Sequence, residues 1–125
     1  MKRFAVYALP ILFWMGLIFF LSSQSKLPTP NVSHFDKFAH AGVYGLLGLL
    51  LARALRGYGV SPKSAVIIGI IAASCYGASD EIHQIYTPGR TPDVFDWVAD
   101  TFGASLGAAF WYALYTRRPQ LRSSP

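Results

Sequence analysis

Acidic residues are scarce in this chain and absent from most of it. Six carboxylates occur among 125 residues, and none lies before Asp36, between Asp36 and Asp80, or after Asp100. Cysteine occurs once, as Cys75, which excludes an intrachain disulfide and a cysteine-built metal cluster; a small apolar filler is its expected role. Internal repeats, low-complexity segments and HExxH-type metal motifs are missing as well. Lysine and arginine leave a net charge of +5, but they are not gathered with aromatics on one soluble element, which argues against nucleic acid as a partner.

What is present is apolar. Hydrophobic residues make up 53% of the chain and charged ones 14%, unusual for a soluble domain of this size. Four apolar stretches stand out: Phe4 to Leu21, Phe38 to Leu55, Ser64 to about Gln84, and about Asp93 to Tyr115. Each approaches the ~20 residues that a helix needs to cross ~30 Å of hydrocarbon. A backbone in lipid must satisfy its own hydrogen bonds, so helices are the expected elements. The first stretch follows Lys2 and Arg3 as a signal peptide would, but it is longer than a typical apolar signal region and no Ala-x-Ala-like site follows, so a retained helix is expected.

The basic residues then set the topology. Lys2, Arg3, Arg53, Arg56, Lys63, Arg117, Arg118 and Arg122 fall on one side, and Lys26, Lys37 and Arg90 on the other, eight against three. The positive-inside rule places both termini in the cytoplasm. The expectation is an all-α membrane protein of the inner (plasma) membrane: a four-helix transmembrane bundle forming a single domain over residues 1–125, with residues 117–125 as a short cytoplasmic tail lacking regular structure. Its oligomeric state is open. All six acids, together with His34, His40 and His83, fall on the extracytoplasmic half.

Spacing sorts these polar groups into stripes. In the second helix Asp36, His40, Tyr44 and Gly48 recur every four residues, with Lys37 beside them. The third carries Gly69, Ala73, Gly77, Asp80 and Gln84 along one face. The fourth carries Asp93, Asp96, Asp100, Gly103 and Gly107, the last two a small-xxx-small pair suited to close packing. Gly42, Gly45 and Gly48 offer the same in the second helix. Asp100 lies on the order of 10 Å below Asp93, where an aspartate in a membrane costs roughly 2.5–3.5 kcal/mol unless it faces the bundle interior with a partner. Three remedies are open: protonation, pairing with Lys37 or Arg90, or a bound cation. The connector Ile85 to Pro92 contains Pro-Gly, a tight-turn signal, and Thr91-Pro92-Asp93 reads as a helix start with Thr91 as cap. Arg90 can fold back on Asp80, Glu81 or Asp96, or grip an anionic headgroup with its fork.

At these residues the chain resembles the VanZ-like family of small integral membrane proteins, whose founding member is associated with resistance to glycopeptide antibiotics such as teicoplanin. The likeness runs through IFFLSSQS (Ile18 to Ser25), DKFAHAGVYGLLGLLL (Asp36 to Leu51) and SDEIHQIYTPGRTPDVFDWVADTFGASLG (Ser79 to Gly107). The resemblance implies a polar site on Asp36, Lys37, His40, Tyr44, Asp80, Glu81, Gln84, Arg90, Asp96 and Asp100, and a role at the cell envelope. Many members carry Asn where this chain has Asp100, which sets a required carboxylate there in doubt.

Four readings of the cluster follow. It binds or modifies an anionic envelope lipid or precursor, with Arg90 and Lys37 recognising the anion and Asp80, Glu81 or His40 as candidate acid or base; no nucleophile motif supports catalysis. It holds a divalent cation, with Asp80, His83 and Asp96 as the leading ligands and Glu81 and His40 as further ones, oxygen ligands favouring magnesium or calcium and imidazole allowing zinc, although no cofactor is evident from a motif. It braces the bundle as a polar network without chemistry. Or it relays protons, for which the inner halves of the helices lack any acid or imidazole. Trp14, Trp97, Trp111 and Tyr112 are expected as interfacial anchors or packing.

Overall fold

A computed structural model describes residues 1–24 and 35–122, and side chains through residue 118. Lys26 and His34 lie outside the described residues. The described chain is all helical, with no strand. A π turn, Phe4–Ala8, leads into α1 (Leu9–Ser22), followed by α2 (Phe35–Gly57), α3 (Pro62–Ile85) and α4 (Val94–Arg122). Pro10 has no N–H to give the carbonyl of Val6 one turn back, and that carbonyl accepts from Arg53 Nη1 at 2.9 Å.

The breaks between helices have local causes. Gly59, at φ 101°, takes the left-handed turn after α2, and Pro62 opens α3, where its missing N–H is harmless. Gly89, at φ 78°, does the same in the α3–α4 connector. Asp93 caps α4 through its own carboxylate, which accepts the Phe95 N–H at 2.8 Å; the cap is Asp93, not Thr91, because α4 begins at Val94 and the residue just before the first helical one holds the cap position. α4 also runs past Tyr115 to Arg122. Apolar periodicity marked where the greasy face ends, and a helix continues beyond it when basic residues meet the negative end of its dipole.

α1, α2 and α3 are each long and apolar enough to cross a bilayer. α2 and α4, parallel to each other, form the most extensive contact. A Cβ on Gly103 would overlap the carbonyl of Ala41, and one on Gly107 that of Gly45, so the two backbones touch directly. On α3 the buried face is Ala65, Gly69, Ala73, Gly77, Asp80 and Gln84. α1 buries only Ile18 and Ser22; along its length Trp14 Nε1 donates to Val43 O at 2.9 Å and Met15 O accepts from Tyr76 Oη at 2.7 Å. Trp97 likewise donates to Ser74 O at 3.0 Å, while Trp111 stacks on Tyr115 in the lower core. Trp14, Tyr76 and Trp97 therefore tie helices together, while the Trp111–Tyr115 stack lies within α4.

Candidate functional site

The antiparallel order brings the end of α1, the start of α2, the end of α3 and the start of α4 to one end of the bundle, which carries every acid of the sequence. Lys37 is the hub of its outer layer. Its ammonium donates to Asp36 at 3.1 Å, Asp93 at 2.7 Å and Asp96 at 2.6 Å, so one cation answers three carboxylates. Lys37, and next the Phe95 N–H, hold the Asp93 carboxyl below its ordinary range. Glu81 Oε2 accepts the Asp93 N–H at 2.9 Å, tying α3 to the start of α4.

One turn deeper, Asp100 is fully buried. Its partner is neither Lys37 nor Arg90: His40 Nδ1 lies 2.7 Å from Asp100 Oδ1, and His40 Nε2 lies 3.7 Å from Asp96. An imidazole reaches this depth because His40 sits one turn below Asp36 on the stripe that α2 turns toward α4. Tyr44, a further turn down, is buried against Gly77 and Asp100. A side chain at position 77 would meet Asp100 Oδ2 at 2.9 Å, so the glycine makes room for the acid.

Asp80 and Gln84 face α1, where Gln84 donates to Ser22 Oγ at 3.3 Å. Ser22 was not singled out from sequence; the only signal was the polar break that ends a long apolar run. His83 lies on another face, with Ser23 Oγ 3.0 Å from its Nε2 and the Phe19 ring tilted against its own, centroids 4.6 Å apart. That Ser–His pair has no carboxylate bonded to the imidazole among the described residues, so it is not a triad. Of the sequence-read metal trio, Asp80 lines a cavity, Asp96 is engaged by Lys37 and His83 faces α1. Among the described residues, His40, Glu81 and Asp100, from three helices, bring their ligand atoms within 4.8 Å of one another.

Beside these groups is a cavity of about 140 Å³. Ile18, Leu21, Ala39 and Val43 form its apolar wall, and His40, Tyr44, Asp80 and Arg90 its polar one. Among the described residues, four buried side-chain polar atoms have no hydrogen-bond partner: Tyr44 Oη, Glu81 Oε1, Arg90 Nε and Asp100 Oδ2. Buried polar groups are normally satisfied; two of these four, on Tyr44 and Arg90, belong to residues that line the cavity, and the other two, on Glu81 and Asp100, belong to the neighbouring acid cluster.

An all-helical protein with three membrane-length apolar helices and a polar cluster closing one end of the bundle belongs to the integral membrane class. The VanZ/LLP1 family model matches residues 6–115, and the chain belongs to that family. No curated protein and no solved structure matches it.

Proposed function

We propose that this protein is a four-span inner-membrane protein whose polar end opens on the extracytoplasmic face, binds an anionic cell-envelope lipid or precursor, and thereby lowers susceptibility to teicoplanin-type glycopeptides. The observation that carries the reading is the cavity that joins the unpartnered Arg90 Nε to an apolar wall from α1 and α2. A guanidinium fork beside hydrocarbon suits an anionic headgroup with its chain lying along the helices. At about 140 Å³ the cavity is smaller than the ~300–1,000 Å³ of drug-sized sites, so it takes a headgroup and not a whole glycopeptide. Asp80 lines the same cavity and is the candidate acid or base toward that group.

For the fourth span, Phe95, Val98, Phe102, Leu106, Phe110 and Leu114 expose an apolar stripe along α4, spaced by three or four residues as a lipid-facing face is. The basic residues at the opposite end support cytoplasmic termini. The test is teicoplanin susceptibility of a sensitive host expressing wild type, Arg90→Gln or Asp80→Asn, with folded membrane abundance measured in the same cells. Wild type is expected to protect and Arg90→Gln to lose protection at equal abundance, since an arginine anchor contributes ~2 kcal/mol, about thirty-fold in affinity. No protection by wild type sinks the resistance role; loss only in step with folded protein makes the cluster a brace.

His40, Glu81 and Asp100 favour a second reading, a divalent-cation site. Two carboxylates and an imidazole suit zinc or manganese, and Glu81 Oε1 and Asp100 Oδ2 have no protein partner to lose. Protein purified without chelator and analysed by metal-emission spectroscopy is then expected to carry a near-stoichiometric ion that Glu81→Gln removes; metal-free wild type rejects the site.

A further inference from the structure

The opposite end of the bundle holds a second, larger cavity of about 710 Å³, within the ~300–1,000 Å³ of ligand sites. Arg3, Arg53, Arg56 and Arg118 line it together with Tyr7 and Tyr115. No acid is near: Asp36 and Arg53 lie on one helix, 17 residues apart in sequence, which is about 26 Å along the axis and well beyond the ~8 Å screening length of physiological salt. Four guanidinium groups therefore converge on one space with no carboxylate among the described residues to answer them.

Two of the four are held in place before any ligand arrives. Arg53 donates to Val6 O at 2.9 Å and lies 4.9 Å over the Tyr7 ring. Arg56 donates through Nε to Tyr115 Oη at 2.9 Å and lies 5.6 Å over that ring. Gly57 lets Tyr7 close the wall, since a Cβ there would come within 2.5 Å of the ring. A guanidinium carries five N–H donors, so these bonds leave most of the fork free. Positive-inside topology accounts for basic residues at this end. It does not account for their collection around one cavity on an aromatic frame, nor for the preorganisation that favours a bidentate anion.

We propose that this cavity is a binding site for a phosphate-bearing anion, a chemistry shared by an anionic phospholipid headgroup and a soluble phosphate. Basic pockets between membrane helices suit such headgroups, and the tyrosines and Trp111 in the wall suit the interfacial depth at which headgroups lie. The site is separate from the acid end and does not depend on the reading given to it.

Arg3 and Arg118 make no side-chain hydrogen bond or ion pair among the described residues, so Arg3→Gln/Arg118→Gln removes charge without removing framework. The full chain would be studied by native mass spectrometry from mixed phosphatidylglycerol and phosphatidylcholine, and by melting temperature in detergent with inorganic pyrophosphate. Selective retention of phosphatidylglycerol by wild type, falling roughly tenfold or more in the double variant at unchanged melting temperature, assigns a lipid headgroup. Stabilisation by pyrophosphate without lipid selectivity, lost in the same variant, assigns a soluble phosphate. Arg53→Lys/Arg56→Lys, which keeps charge but loses the fork, is expected to fall between the two. Equal retention of both lipids with no pyrophosphate effect, or an effect unchanged in the double variant, overturns the site.

Discussion

Gly107→Leu and Gly103→Leu are expected to unfold the bundle in detergent or leave it too unstable to purify as a single species. The added carbon would overlap the backbone carbonyls of Gly45 and Ala41. A side chain in the way can change rotamer, but a carbonyl of the facing helix cannot, so α2 and α4 must part. Overpacking a core typically costs ~1–3 kcal/mol, and a backbone clash at the largest helix contact belongs at or beyond the upper end of that range. The damage reaches the polar end, because Lys37–Asp96 and His40–Asp100 bridge the same two helices. Gly42→Ala is the control: its added carbon meets nothing within 4 Å, so a change within about ±0.5 kcal/mol is expected, or a small gain from helix propensity. Melting temperature and monodispersity in detergent read both effects, and Gly107→Leu melting like wild type would show that the helices do not touch as described.

Lys37→Met is expected to loosen the acid end and to alter its response to pH. Asp96, only 7% exposed, would lose its 2.6 Å partner, and a buried acceptor left unpaired costs ~1–3 kcal/mol. Asp93 supplies the pH signature. Its folded pKa is lowered, chiefly by Lys37, from an ordinary 3.8, so the stability it contributes is present in full above the unfolded value and is lost as pH falls through the folded one. With Lys37 gone, that contribution largely goes as well. The gap in melting temperature between wild type and Lys37→Met should therefore be open at pH 6 and narrower near pH 3. A gap that stays constant across that range would show that Lys37 does not hold Asp93.

Both experiments concern contacts between residues about 60 positions apart, and that separation explains what could be read in advance. The stripe from Gly69 to Gln84 was legible because one helix carries it: a period near four and a run of small residues name the buried face before any partner is known. The rise per residue put Asp100 well below Asp93, and its need for a partner followed from the cost of a carboxylate in lipid. Which partner did not follow. Lys37 and His40 sit on the same stripe three residues apart, and whether Lys37 or His40 meets Asp100 depends on how deep α2 stands relative to α4.

By itself, then, the sequence determined that the chain is helical, that its helices have membrane length, and that its acids and most of its arginines lie at opposite ends; hydrogen-bond demand in lipid and charge placement along single segments settle these locally. Only the tertiary structure decided that Lys37 binds three acids, that His40 meets Asp100, and that His40, Glu81 and Asp100 converge while His83 turns to α1. It also decided that Arg3, Arg53, Arg56 and Arg118 surround one cavity. The physical reason is that the rotation and depth of each helix are set by its closest backbone approaches, here Gly103 on Ala41 and Gly107 on Gly45, and a shift of one turn in that register would pair every charge differently.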